Sequence, residues 1–126
     1  MGFKKTILVT GGSGFIGSNL VRYLMSNIDH HVVNVDKMTY AASSNSLEDV
    51  AGDIRYKHVK VDICDSSAIR SIFDHFRPSA VVHLAAESHV DRSIDSPGQF
   101  IKTNIEGTFN MLQESLQYIR NCNDSN

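Results

Sequence analysis

Four glycines fall within seven positions of the stretch Val9-Thr-Gly-Gly-Ser-Gly-Phe-Ile-Gly17. An interior glycine costs roughly 0.5–1 kcal/mol relative to alanine, so such a cluster is expected only where something must approach the main chain closely. The spacing Gly12-x-Gly14-x-x-Gly17 suits a diphosphate. The first glycines allow a tight turn, the missing Cβ lets phosphate oxygens reach the backbone, and a following helix offers unpaired N–H groups and a partial positive charge. Asp36 ends the apolar run His-His-Val-Val-Asn-Val, 19 residues beyond Gly17. A carboxylate there accepts hydrogen bonds from both ribose hydroxyls of an adenosine and repels a 2′-phosphate, which favours NAD over NADP. The adjacent Lys37 works against that preference, because a cation offsets part of the repulsion. Asp62-Ile63 offers an acid for the exocyclic amine of adenine and an apolar side chain for its ring face, although an ordinary strand end followed by a core residue fits these two equally well.

These groups need elements to hold them. Apolar, β-branched runs predict strands over residues 5–10, 31–36, 54–62 and 79–85, with Ile7-Leu-Val and Ala80-Val-Val apolar enough to be buried on both faces. Between them, Ile16, Leu20, Val21, Leu24 and Ile28 follow a helical period, as do Ile69, Ile72, Phe73 and Phe76. The second helix has an N-cap in Asp65-Ser-Ser and stops before Pro78. A longer helix is predicted from Pro97 to about Arg120, with Ile101, Ile105, Thr108, Leu112 and Leu116 on one side and Phe100, Phe109 and Met111 elsewhere. Alternating strands and helices imply an α/β, Rossmann-type doubly wound parallel sheet in three αβα layers, here a half with strand order 3-2-1-4. Residues 1–120 form one nucleotide-binding domain in this reading, and 121–126 a frayed tail. The glycine motif directly follows the first strand and opens the first helix, the context that distinguishes a dinucleotide fingerprint from a chance cluster.

The remaining features exclude more than they propose. The 126 residues carry a net charge of −2, and the six histidines are scattered, so neither a nucleic-acid surface nor a membrane surface is indicated. Cys64 and Cys122 fit no metal spacing and no disulfide framework, which points to a reducing compartment, by default the cytoplasm. No apolar run approaches the roughly 18 residues of a membrane span. No histidine set makes a metal site: His83, in a buried strand, is expected to be a hydrogen-bonded core residue, and His30, His31, His58 and His75 lie at the surface.

Four segments together carry a more specific likeness: Thr10-Gly-Gly-Ser-Gly-Phe-Ile-Gly17, Asn34-Val-Asp-Lys-Met-Thr-Tyr-Ala41, Asp62-Ile-Cys-Asp65 and His83-Leu-Ala-Ala-Glu-Ser-His-Val-Asp-Arg-Ser-Ile94. In these the chain resembles the dTDP-glucose 4,6-dehydratases of the extended short-chain dehydrogenase/reductase family, over nearly its whole length to about Tyr118. The resemblance implies that Gly11, Gly14 and Gly17, with the backbone of Phe15 and Ile16, cover the pyrophosphate of NAD. It implies that Asp36, Lys37, Met38 and Thr39 hold the adenosine ribose, and that Asp62 and Ile63 flank adenine. Leu84, Ala85, Ala86, Glu87 and Ser88 would pass the nicotinamide side, with Thr103 reaching the cofactor from the long helix. Ser88 and His89 would meet the hexose of dTDP-glucose or a related nucleotide sugar, and Asp91 and Arg92 would support the loop around it. Relatives usually have Tyr-Ala-Gly-Asn after the second strand where this chain has Tyr40-Ala-Ala-Ser43, a difference expected to alter the loop near the adenosine.

The family reaction moves hydride from sugar C4 to NAD, eliminates water across C5 and C6, and returns hydride to C6. It needs a base for the C4 hydroxyl and an acid–base pair for the elimination. Relatives draw these from a Tyr-x-x-x-Lys helix and a Thr-Asp-Glu segment after a fifth strand. Tyr56-Lys-His-Val-Lys60 matches the first pattern only in letters. On a helix such positions lie about 6 Å apart, whereas on the predicted strand they lie about 13 Å apart. The resemblance therefore implies a cofactor-binding front of an NAD-dependent lyase, inactive alone. Its fourth strand is expected at an open sheet edge, with Phe100, Phe109 or Met111 exposed on the last helix and a homo-oligomer, a dimer as in relatives, covering them. A UDP-sugar 4,6-dehydratase, a 4-epimerase of the same superfamily and a non-catalytic NAD-binding module are the alternatives.

Overall fold

In the computed structural model, residues 3–38, 47–87 and 94–124 are described. Strand β1 (Thr6–Thr10) leads through the glycine loop into helix α1 (Phe15–Asn27), followed by β2 (His31–Val35), β3 (Tyr56–Val59), helix α2 (Ser66–Phe76) and β4 (Ala80–His83). The chain ends in a long helical segment made of α3 (Pro97–Ile101), a π-helical stretch (Lys102–Gly107) and α4 (Thr108–Asp124). The four strands form one sheet in the order β3-β2-β1-β4. All three pairings are parallel, with Leu8 opposite Val33 and Val81, and Val33 opposite Lys57. This is the predicted order.

Side chains alternate across the sheet. Leu8, Val33 and Val35 face one layer with Ile63, Ile69, Ile72, Phe73 and Met111, so α2 and α4 cover that side. Val9 and Val32 face the other, packed with Val21 and Met25 of α1 and with Leu47. The strand buried on both faces besides β1 is β2, whose Val32–Val35 are all buried. This corrects the expectation for Ala80-Val-Val: β4 stands at the sheet edge, so Ala80 is exposed and Val81 and Val82 are half-buried.

Helix α2 begins and ends as its sequence dictates. The Asp65 carboxylate accepts the Ala68 N–H at 3.1 Å, and Arg77 closes the helix in a left-handed conformation at φ 49° just before Pro78. Helix α1 buries Gly17, Ser18, Val21 and Met25, leaving Ile16 exposed at the helix start.

The last helix departs most from expectation. Its buried stripe is Thr103, Gly107, Met111 and Glu114, whereas Ile101, Ile105, Phe109, Leu112, Leu116 and Ile119 are 43–66% exposed. Met111, expected among the exposed residues, is therefore core, while Phe109 is exposed as expected. Gly107 allows close approach, since a Cβ there would lie 2.7 Å from Ile63 Cγ1. Burial of the Glu114 carboxylate is offset by Arg70, whose Nε and Nη2 donate to it at 3.0 and 2.8 Å. Residues 121–124, predicted to fray, continue α4.

Candidate active site and cofactor cleft

The glycine loop is fixed by the chain's own backbone before any ligand is considered. Gly11 adopts φ +70°, and a Cβ there would lie 2.7 Å from the Ala85 backbone. A Cβ on Gly12 would overlap the Asn34 amide, and one on Gly17 would overlap the Gly11 carbonyl oxygen. Gly14 differs: its Cβ would meet nothing closer than Gly11 O at 3.5 Å, and its open side faces a cavity. The loop is also tied by hydrogen bonds. Gly11 N–H donates to Val35 O at 2.9 Å, Gly12 N–H to Asn34 Oδ1 at 2.8 Å, and Ser13 N–H to Asp36 Oδ2 at 3.0 Å. Buried Asn34 in turn donates from Nδ2 to Ser13 Oγ at 3.0 Å and to the Tyr56 hydroxyl at 3.1 Å. Tyr56 thus props the loop from β3, on a strand and not on a helix.

Beyond the carboxyl ends of the strands lies a cavity of about 440 Å³. Gly11, Gly14, Phe15, Ile16 and Gly17 form one wall, at the start of α1, where no side chain caps the first turn. Asp36 and Lys37 after β2, with Asp62 and Ile63 after β3, form a second wall. Leu84, Ala85, Ala86 and Glu87 after β4 form the third, which Thr103 completes from the π-helical stretch. Val35 and Val61 line it as well, and neither was singled out in the sequence. Of the other expected positions, Met38 does not line the cavity; at φ 60° its N–H donates to Asp36 Oδ1 at 2.7 Å. Thr39, Ser88 and His89, with Asp91 and Arg92, lie outside the described residues.

Charge in the cleft gathers around Lys37, which faces carboxylates from two of its walls. Lys37 Nζ stands 3.6 Å from Asp62 Oδ2 and 4.0 Å from Glu87 Oε1. Partial burial opposes ionisation of Asp62, but the Cys64 N–H at 2.9 Å and the Lys37 ammonium outweigh it and hold the carboxyl below its ordinary range.

Several groups that build the site carry no motif. Asn104 clamps the backbone of Glu87 from both sides, accepting its N–H at 2.8 Å and donating to its carbonyl at 2.9 Å. Asn110 donates to the carbonyl of Ile63 at 2.6 Å. Both lie in the last helical segment, among polar residues whose spacing gives no hint of a partner. Thr10 Oγ1 accepts the N–H groups of Leu84 and Ala85 at 3.0 and 3.1 Å, so its proton is directed to His83 Nδ1 at 2.6 Å. His83 Nε2–H then donates to Thr108 Oγ1 at 3.1 Å. Burial lowers the His83 pKa, in keeping with this neutral tautomer; the ring is hydrogen-bonded as expected, but on the edge strand it is half-buried and not a core residue. No cluster of metal-ligating side chains occurs among the described residues, nor is any helix there long and apolar enough to cross a membrane.

The model of the GDP-mannose 4,6 dehydratase family matches residues 8–125, nearly the whole chain. The chain belongs to that family. Within the reach of this family, it is 55% identical over 115 residues to dTDP-glucose 4,6-dehydratase of Neisseria gonorrhoeae, covering 91% of this chain and 33% of that protein. It is likewise 55% identical over 112 residues to the Escherichia coli dTDP-glucose 4,6-dehydratase, covering 89% of this chain and 31% of that one. The chain thus spans about a third of the length of these relatives. Among solved structures, DesIV, a dTDP-glucose 4,6-dehydratase from Streptomyces venezuelae with NAD and TYD bound, superposes with a TM-score of 0.84 at 39% identity, covering 90% of this chain and 36% of DesIV. A UDP-glucose 4-epimerase from Thermotoga maritima, with UDP-glucose, superposes with a TM-score of 0.79 at 35% identity, covering 90% of this chain and 34% of the epimerase. The family's fold therefore accounts for the sheet order and for the cleft at the strand ends.

Proposed function

We propose that this chain is the NAD-binding part of a dTDP-glucose 4,6-dehydratase. The observation that carries the reading is the cleft itself, where Gly14 opens an uncapped helix start to the cavity and Asp36 stands at the adjacent strand end. Such a cradle fits a dinucleotide: backbone N–H groups for the pyrophosphate, Asp36 for the ribose hydroxyls, Asp62 and Ile63 for adenine. Bound NAD would supply a hydride acceptor and, once reduced, a hydride donor. The chain's own part is to hold and orient it. Leu84 to Glu87, fixed by Thr10 and Asn104, would border the nicotinamide half. Ser88 and His89, next in sequence, are assigned to the hexose of dTDP-glucose. The sequence contains neither a Thr-Asp-Glu segment nor a Tyr-x-x-x-Lys pair on a helix, so we assign no acid–base step to these residues. The dehydratase reading is preferred to the epimerase one because the dTDP-glucose 4,6-dehydratases of Neisseria gonorrhoeae and Escherichia coli are 55% identical to this chain, against 35% for the Thermotoga maritima epimerase.

Titration calorimetry tests the cofactor assignment. The chain is expected to bind NAD, and Asp36→Ala to weaken NAD binding by about 10- to 100-fold, the range for hydrogen bonds to a charged group, with a smaller loss for NADP. Equal losses for the two nucleotides would count against the ribose role.

A cytoplasmic location and a homodimer complete the proposal. Cys64 and Cys122 form no disulfide, in keeping with a reducing compartment. The exposed stripe from Ile101 to Ile119 is of the kind that a second copy covers. A monomer by light scattering would contradict the dimer.

A further inference from the structure

The Lys37 ammonium beside Asp36 raises a specificity question: a lysine next to the ribose-binding acid is a potential seat for a 2′-phosphate. Its surroundings answer it. Lys37 Nζ lies 3.6 Å from Asp62 Oδ2 and 4.0 Å from Glu87 Oε1, so two walls of the cleft converge on one cation. Glu87 is buried, and its backbone is held on both sides by Asn104, so this carboxylate is carried on a fixed piece of chain. Asp62 is likewise anchored, through the Cys64 N–H. Asp36, Asp62 and Glu87 together outnumber Lys37, and the whole group bears a net charge of −2 when ionised. Among the described residues, His58 is exposed on β3 and meets the Asp36 main-chain carbonyl at 3.0 Å, and Lys102 lies close enough to Cys64, beside Asp62, to act on its thiol.

We infer that Asp62 and Glu87 determine cofactor specificity by occupying Lys37, leaving it unable to receive a 2′-phosphate and turning this wall of the cleft against NADP. The inference rests on the NAD reading above and deepens it. A 2′-phosphate seeking Lys37 would have to draw it away from two carboxylates, with Asp36 its neighbour in the chain. A ribose hydroxyl makes no such demand, because Asp36 serves it directly. Attraction and repulsion between groups this close are screened only weakly in a partly buried cleft.

The test compares dissociation constants for NAD and NADP by calorimetry at pH 8. Asp62→Asn/Glu87→Gln is expected to lower the ratio Kd(NADP)/Kd(NAD) by about tenfold or more. Any loss of an adenine contact at Asp62 affects both nucleotides alike and cancels in the ratio. Adding Lys37→Gln is expected to remove most of the gain. Thermal unfolding checks that each variant is folded, and Glu87→Gln alone, expected to shift the ratio in the same direction by less, replaces the double variant should that one fail to fold. An unchanged ratio in a folded variant that still binds NAD overturns the proposal, as does a gain that persists without Lys37. Failure of the wild-type chain to bind NAD overturns the cofactor reading, and this proposal with it.

Discussion

Gly17→Ala is expected to destroy the cleft, with NAD affinity falling below detection and the folded state destabilised. The added methyl would overlap the Gly11 carbonyl oxygen and lie 2.8 Å from Gly12 Cα, and these are backbone atoms that no rotamer change can move. Alanine is the better helix former by roughly 1 kcal/mol, but overpacking costs typically about 1–3 kcal/mol and more where the main chain itself must shift. Helix α1 and the glycine loop would have to separate, breaking the hydrogen bond from Ser18 N–H to Gly14 O at 2.9 Å. Gly14→Ala is the matching control. Its methyl meets only ordinary contact at 3.5 Å, so thermal unfolding should be near that of the wild type while NAD binding is lost. Equal Tm values for the two variants would show that the loop is not held as described.

Phe73→Ala is expected to cost about 3–5 kcal/mol, measured as a shift of the urea midpoint. That is a large share of the roughly 5–15 kcal/mol of a typical domain. Phe73 is 1% exposed and joins α2 to the sheet and to α4, its ring centroid 5.0 Å from that of Tyr118. Tyr118 cannot easily collapse into the space, because it is held by a hydrogen bond to Pro78 O at 2.8 Å and by Arg77 above its ring. A cost under about 1 kcal/mol would mean that α2 and α4 are not packed on the sheet in solution.

The sheet could be read from the chain because each strand announces itself locally: β-branched runs such as His31–Val35 and turn residues between them suffice to order the elements. The glycine loop and Asp36 were legible for a similar reason, since their chemistry lies in residue type and spacing. Burial on the last helix was not legible. Periodicity located an apolar stripe at Ile101, Ile105, Leu112 and Leu116, but which stripe faces the sheet is decided by close approach and by partners far away in sequence. Gly107 wins its place against Ile63 by being small, and Glu114 wins its place through Arg70, and neither reason is visible within the helix. Asn104, Asn110 and Thr10 escaped for the same cause: each serves the cleft by holding another segment's backbone.

Asn34 has a kinetic consequence. One buried amide fastens Gly12, Ser13 and Tyr56 together, so the loop it secures has no slack to surrender when a nucleotide arrives. On the proposed reading, the nucleotide meets a glycine loop already in place, and differences in affinity among variants that spare this amide are expected to be carried by how long the guest stays.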